Sequence, residues 1–116
     1  MEIRTEDIRE WEALGPDDVP RLRQLTAYRD GHEAGKVKVA DSPICEEVLR
    51  RMYPDTPMVY QLYVDEALRN QRIGSALMDV AEQLIRDDGK LEILLCVSSD
   101  NSVAQDMYRR RGYKHI

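Results

Sequence analysis

R-N-Q-R-I-G-S-A, residues 69–76, stands between two segments of different period. Before it, M-V-Y-Q-L-Y-V (Met58 to Val64) is a short apolar run that reads as a strand. After it the spacing predicts a helix over 72–87, with Ile73, Leu77, Val80, Ala81 and Leu84 on its inner face and Gly89 beyond its end. A polar, arginine-bearing loop at a strand-to-helix junction is suited to holding phosphate. Backbone N–H groups at a helix N-terminus point outward without partners, and the helix dipole adds partial positive charge. Gly74 lets backbone approach a ligand because it has no Cβ.

Moving towards the C-terminus, L-E-I-L-L-C-V (Leu91 to Val97) is too apolar for a strand solvated on both sides. With 58–64 and the helix it forms a β-α-β unit over 58–97, with parallel strands and a right-handed crossover. Ser98-Ser99-Asp100-Asn101 caps a helix over 102–111 that Gly112 ends, and Tyr113 to Ile116 begins a further strand. Towards the N-terminus, Ile8 to Leu14 is predicted as a strand. Gly15-Pro16-Asp17-Asp18 reads as the start of a helix carrying Val19, Leu22 and Leu25, which Gly31 ends. Lys36 to Ala40 alternates like a short strand. Asp41-Ser42-Pro43 opens another helix, with Ile44, Val48, Leu49 and Met52 on one side, closed by Pro54 and Pro57.

The 116 residues fit one domain, 1–116, and 42% hydrophobic with 34% charged residues is the balance of a globular chain. A net charge of -5 argues against a general nucleic-acid binder and is compatible with an amine substrate. No apolar run reaches membrane-spanning length, and the charged N-terminus has no signal-peptide pattern, so the expected location is cytoplasmic. Cys45 and Cys96 form no C-x-x-C, and Cys96 lies in an apolar strand pattern that predicts a buried, reduced thiol. His32 and His115 have no partner at ligand spacing, so no metal is expected. Arg109-Arg110-Arg111 reads as a solvated helix end favoured by the dipole, with a binding patch as the alternative.

Neither G-x-x-x-x-G-K-[ST] nor G-x-G-x-x-G is present, which argues against a P-loop and a dinucleotide fold. Q-R-I-G-S-A at 71–76 fits [QR]-x-x-G-x-[GA]. With L-Y-V-D-E-A-L-R at 62–69 before it and V-S-S-D-N-S-V-A-Q-D-M-Y-R-R-R-G-Y at 97–113 after it, residues 58–113 resemble the core of the GNAT superfamily of N-acetyltransferases. The resemblance implies an α/β (α+β) fold, a mixed central sheet flanked by helices. It also implies an acetyl-CoA-dependent enzyme that acetylates a primary amine. Coenzyme would lie where strands 58–64 and 91–97 splay apart, with the backbone of Leu62, Tyr63 and Val64 pairing with the pantetheine arm. Arg69, Asn70, Gln71, Arg72, Ile73, Gly74 and Ser75 would cradle the pyrophosphate, and Asn101 would bond near the pantetheine; the resemblance also offers Arg109 to Arg111 a place near the coenzyme's phosphates, as the alternative to a solvated helix end. Tyr108 stands at the family's general-acid position; a phenol of pKa about 10 holds the proton that a departing thiolate needs.

Departures from the pattern are informative. Asn70 and Arg72 replace glycines usual in the loop; asparagine tolerates positive φ better than most residues. Gln61 is the inward polar candidate on strand 58–64, where many members carry an acidic base. Asp65, Glu66, Glu46 and Glu47 read as solvated charge, with a water-mediated base role as the alternative. The family's sheet has more strands than this chain supplies, and strand 91–97 would be left with an open edge, so a homodimer covering that edge is expected. The alternative to catalysis is a shortened module that binds coenzyme A or a protein partner. The acceptor amine is not legible.

Overall fold

A computed structural model describes residues 1–8, 21–44, 47–97 and 101–114. They form, in chain order, β1 (Glu2–Ile8), β2 (Leu22–Arg29), β3 (His32–Ala40), α1 (Glu47–Met52), β4 (Met58–Val64), a 3₁₀ turn (Glu66–Leu68), α2 (Ile73–Asp87), β5 (Leu94–Leu95) and α3 (Ser102–Arg110). The described strands make one sheet in the order β1-β2-β3-β4-β5. The first four are antiparallel neighbours, and β5 runs parallel to β4. The mixed sheet with helices and the β-α-β unit are thus as the sequence predicts.

Alternation along the strands divides the core between two faces. Leu25, Ala27, Val37, Val39 and Val59 pack with Ile73, Leu77, Met78, Ala81 and Ile85 of α2. Leu22, Ala40, Met58 and Tyr60 cluster with Leu94 on the opposite parity. Both α2 and α3 stop at a glycine in left-handed conformation, Gly89 (φ 81) and Gly112 (φ 94). In each, the residue after the glycine donates back into the last turn: Lys90 N–H to Ile85 O and Tyr113 N–H to Tyr108 O, both at 3.1 Å. Gly35 serves a different end. A Cβ there would sit 2.7 Å from the carbonyl oxygen of Tyr63, so its absence lets β3 and β4 close up beside Val64.

The N-terminal half departs from expectation. Leu22 to Arg29 is a strand, not part of a helix. Leu22 and Leu25 mimic a helical stripe because β2 is buried on both faces, which hides its alternation. The decisive local signal is Asp30-Gly31. Both have positive φ (53 and 79), and Arg29 pairs with His32, so they form the two-residue turn of a β2–β3 hairpin. The observed first strand is Glu2–Ile8; the remainder of the expected strand 8–14, and Gly15 to Val19, lie outside the described residues. Helix α1 buries none of its described residues, with Val48 and Met52 exposed.

Of the expected strand 91–97, only Leu94 and Leu95 pair with β4, and Leu91 is 96% exposed. Cys96 is exposed rather than buried. Tyr113 and Lys114 form no strand. On α2 the buried face includes Met78 and Ile85, while Val80 and Leu84 flank it. No helix among the described residues is long and apolar enough to cross a membrane.

Candidate functional site

A bulge in β4 shapes the site. Lys36 pairs with Tyr63 but Lys38 with Tyr60, so Gln61 and Leu62 face one residue of β3. Gln61 takes φ 51 to make room. The extra residue inverts the parity of the strand: Val59 packs towards α2 before the bulge, Leu62 and Val64 after it. Gln61 is consequently exposed, not inward as expected, and its Oε1 accepts from Lys38 Nζ at 2.7 Å. Tyr63, on the other parity, is 52% exposed.

The same bulge coincides with the end of β4–β5 pairing. Leu94 N–H donates to Pro57 O (2.9 Å) and Cys96 N–H to Val59 O (3.2 Å). Among the described residues, Leu62 to Val64 continue beside β3 on one side and have no ladder pair with β5 on the other. Among the described residues, the edge of Leu62-Tyr63-Val64 is therefore open.

That edge leads into the loop. Asp65 caps the 3₁₀ turn, its Oδ1 accepting from Ala67 N–H at 3.0 Å. Arg69 Nε donates back to Val64 O at 3.3 Å, and Arg29 at the end of β2 donates to Gln71 Oε1. Asn70 (φ 67) and Arg72 (φ 64) both adopt the left-handed region. Turns of this kind gather successive N–H groups into a concavity suited to an anion. Arg72 is the N-cap of α2 yet makes no side-chain capping bond, and the first turn carries no acidic residue. Gly74 has helical rather than positive φ. A Cβ there would meet only ordinary neighbours, Val64 Cγ2 at 3.5 Å and Leu62 Cδ2 and Met107 Sδ at 3.8 Å. Neither packing nor backbone conformation demands glycine at 74.

Helix α3 lies against this corner. Asn101 is its N-cap, the side-chain oxygen accepting from Ala104 N–H at 3.1 Å. Met107 reaches the Gly74 position. Tyr108 is 6% exposed, its ring edge-on to Tyr113 with centroids 6.0 Å apart. Burial disfavours the phenolate and pushes the Tyr108 phenol up to about 12. Arg111 is not a solvated helix end. Its side chain, 17% exposed, bonds Ser75, Asp79 and Glu82 of α2. Arg109 instead pairs locally with Asp106 at 2.7 Å on the surface. Glu47 pairs with Arg51, and Glu66 is exposed; Glu46, Ser98 to Asp100, Cys45 and His115 lie outside the described residues.

The structure thus brings Leu62, Val64, Gly74, Ser75 and α3 to one corner. Sequence reading missed Arg29 and the contacts of Arg111 with α2. Their partners lie 42 residues away for Arg29 and 29 to 36 for Arg111, so no local pattern announces them. Among the described residues, no three His, Cys, Asp or Glu side chains converge as a metal-holding group.

Comparison with known proteins agrees with this fold. A sequence model of the Acetyltransferase (GNAT) family matches residues 2–113. The chain is similar to a PaiA N-acetyltransferase from Thermoplasma acidophilum, solved in complex with coenzyme A: 25% identity, TM-score 0.63, covering 78% of this chain and 50% of that one. It is similar to a putative acetyl transferase from Pyrococcus furiosus at 26% identity and TM-score 0.65, covering 82% of this chain and 60% of that one. An uncharacterized Bacillus subtilis protein, YxbD, is 35% identical over 51 residues, 44% of this chain and 32% of its own length. The chain therefore spans about a third of YxbD and half or somewhat more of these two solved proteins.

The left-handed Arg72 carries a conformational cost of ~1–2 kcal/mol, of which glycine's greater freedom when unfolded would return part. Arg72→Gly is expected to raise stability by about 0.5–1 kcal/mol in urea unfolding, and Arg72→Val to lower it. A glycine variant less stable than the parent would show that the arginine side chain supports the loop.

Proposed function

The chain belongs to the acetyltransferase (GNAT) family, and from that premise we propose that it is an acetyl-CoA-dependent N-acetyltransferase acting on a primary amine. The observation that carries this reading is the open edge of Leu62-Tyr63-Val64, which leads directly into the left-handed loop at the uncapped start of α2. An extended pantetheine arm has amide groups that suit such an edge, and its pyrophosphate suits the loop. Gly74 supports the same fit. In a helix glycine is less stable than alanine by ~1 kcal/mol, and here the fold does not need it.

In this reading the backbone of Leu62, Tyr63 and Val64 pairs with the pantetheine, and the N–H groups of the loop from Arg69 to Ser75 hold the diphosphate. Asn101 uses its oxygen as a helix cap, which leaves its amide donors for the coenzyme. A backbone N–H near Tyr63 or Val64 polarises the thioester carbonyl. The neutral amine attacks the carbonyl carbon, the C–S bond breaks and Tyr108 gives its proton to the sulfur, while the proton shed by the acylated nitrogen passes through water and restores the phenol. A buried phenol held at about 12 stays protonated at neutral pH, as an acid in this step must. A homodimer belongs to the same reading. The outer edge of β5 has no ladder partner among the described residues, and a second copy would cover it and the exposed Leu91.

Three measurements test this. Calorimetry is expected to show acetyl-CoA binding, and a thiol-release assay over an amine panel is expected to show turnover. Tyr108→Phe should reduce turnover about 100-fold while leaving coenzyme affinity nearly unchanged. Binding without turnover, unaffected by Tyr108→Phe, would indicate a coenzyme-binding module; no binding would remove the proposal. Gly74→Ala is expected to stabilise the fold by up to about 1 kcal/mol yet weaken coenzyme binding at least about tenfold, because the new Cβ occupies the approach. Unchanged affinity would remove Gly74 from the cradle. Light scattering at micromolar concentration should give twice the 13.5 kDa chain mass, and a pure monomer would exclude the dimer.

A further inference from the structure

Arg111 is the C-cap of α3, yet its guanidinium lies on α2. Its Nη1 donates to Ser75 Oγ at 3.0 Å and to Ser75 O at 3.5 Å. Its Nη2 donates to Asp79 Oδ1 at 2.6 Å and Glu82 Oε2 at 2.7 Å, and its Nε to Glu82 Oε1 at 3.3 Å. Glu82 also accepts from Tyr113 OH at 3.1 Å. Glu82 is 14% exposed, so the cation is set firmly into this corner.

We propose that Arg111 is a positioning residue for coenzyme binding, acting through the Ser75 hydroxyl at the start of α2; this rests on the acetyl-CoA reading above. A guanidinium only donates, so Ser75 Oγ must be the acceptor in that bond. The hydroxyl then has one proton to place elsewhere, and the neighbouring cation makes it a stronger donor. At the first turn of α2, beside the loop of left-handed residues, the receiver is a phosphate oxygen of the diphosphate. The two carboxylates hold Arg111 back from the ligand, so it does not bind phosphate itself. It also offsets the charge of Asp79 and Glu82, about one and two turns along α2 from Ser75, which would otherwise repel a diphosphate there.

The test is a double-mutant cycle on coenzyme A affinity by calorimetry, with Arg111→Met, Ser75→Ala and the double variant, each shown to be folded at the working temperature. Arg111→Met and Ser75→Ala are each expected to weaken binding about tenfold, and the double variant no more than the weaker single one. Arg111→Lys, which keeps the charge but not the fork, should recover part of the loss and serves in its place if the methionine variant does not fold. The ³¹P spectrum of bound coenzyme A gives a second reading: in both single variants the diphosphate resonances move while the 3′-phosphate resonance stays. Losses that multiply in the double variant, or an Arg111 variant of unchanged affinity, would overturn the positioning role while leaving the parent's coenzyme binding intact. A parent chain that binds no coenzyme A would overturn both this proposal and the reading beneath it.

Discussion

The one-residue bulge at Gln61 is the constraint on which the candidate site depends. A regular β4 would keep the parity of Val59 to its end and turn Leu62 and Val64 away from α2. With the extra residue, both pack beneath α2, beside Gly74. Beyond the bulge the strand has β3 on one side and, among the described residues, an open edge on the other. Gln61 takes a left-handed conformation to achieve this and carries a compensating cross-strand bond from Lys38.

The loop that follows concentrates conformations that a sequence selected for stability alone would avoid. Asn70 and Arg72 are left-handed without being glycine, whereas Gly74 is glycine without a left-handed φ or a crowded Cβ. Strain and permissiveness lie within five residues of each other at the start of a helix with no side-chain cap. Such clustering is characteristic of functional segments. Support comes from outside the loop, through Arg29 on Gln71 and Arg111 on Ser75, so two distant arginines brace a segment that is locally unfavourable.

How much was legible in the sequence varied with burial. In the second half, β4 is a short apolar run and α2 carries a one-sided stripe, and their predicted limits agree with the observed ones to within a residue. Asn101 and Gly112 likewise mark the ends of α3. In the first half, β2 is buried on both faces, so Leu22 and Leu25 suggested a helix although Asp30-Gly31 carried the hairpin signal. For 91–97 the error was of another kind. Apolar composition suggested a full strand, but pairing with β4 extends only over Leu94 and Leu95. The Gln61 bulge left no mark in the sequence, because glutamine is not a residue that announces a left-handed turn.

The sequence by itself determined the β-α-β unit, the ends of α2 and α3 and the family, because these rest on periodicity, capping and short motifs that act between near neighbours. Tertiary structure alone decided that β2 is covered on both faces, that Gln61 points outward and that Arg111 braces Ser75. Each of these outcomes depends on what packs against a residue from far along the chain. A strand covered on both sides loses its alternation, and an arginine finds its carboxylates only after two helices have docked.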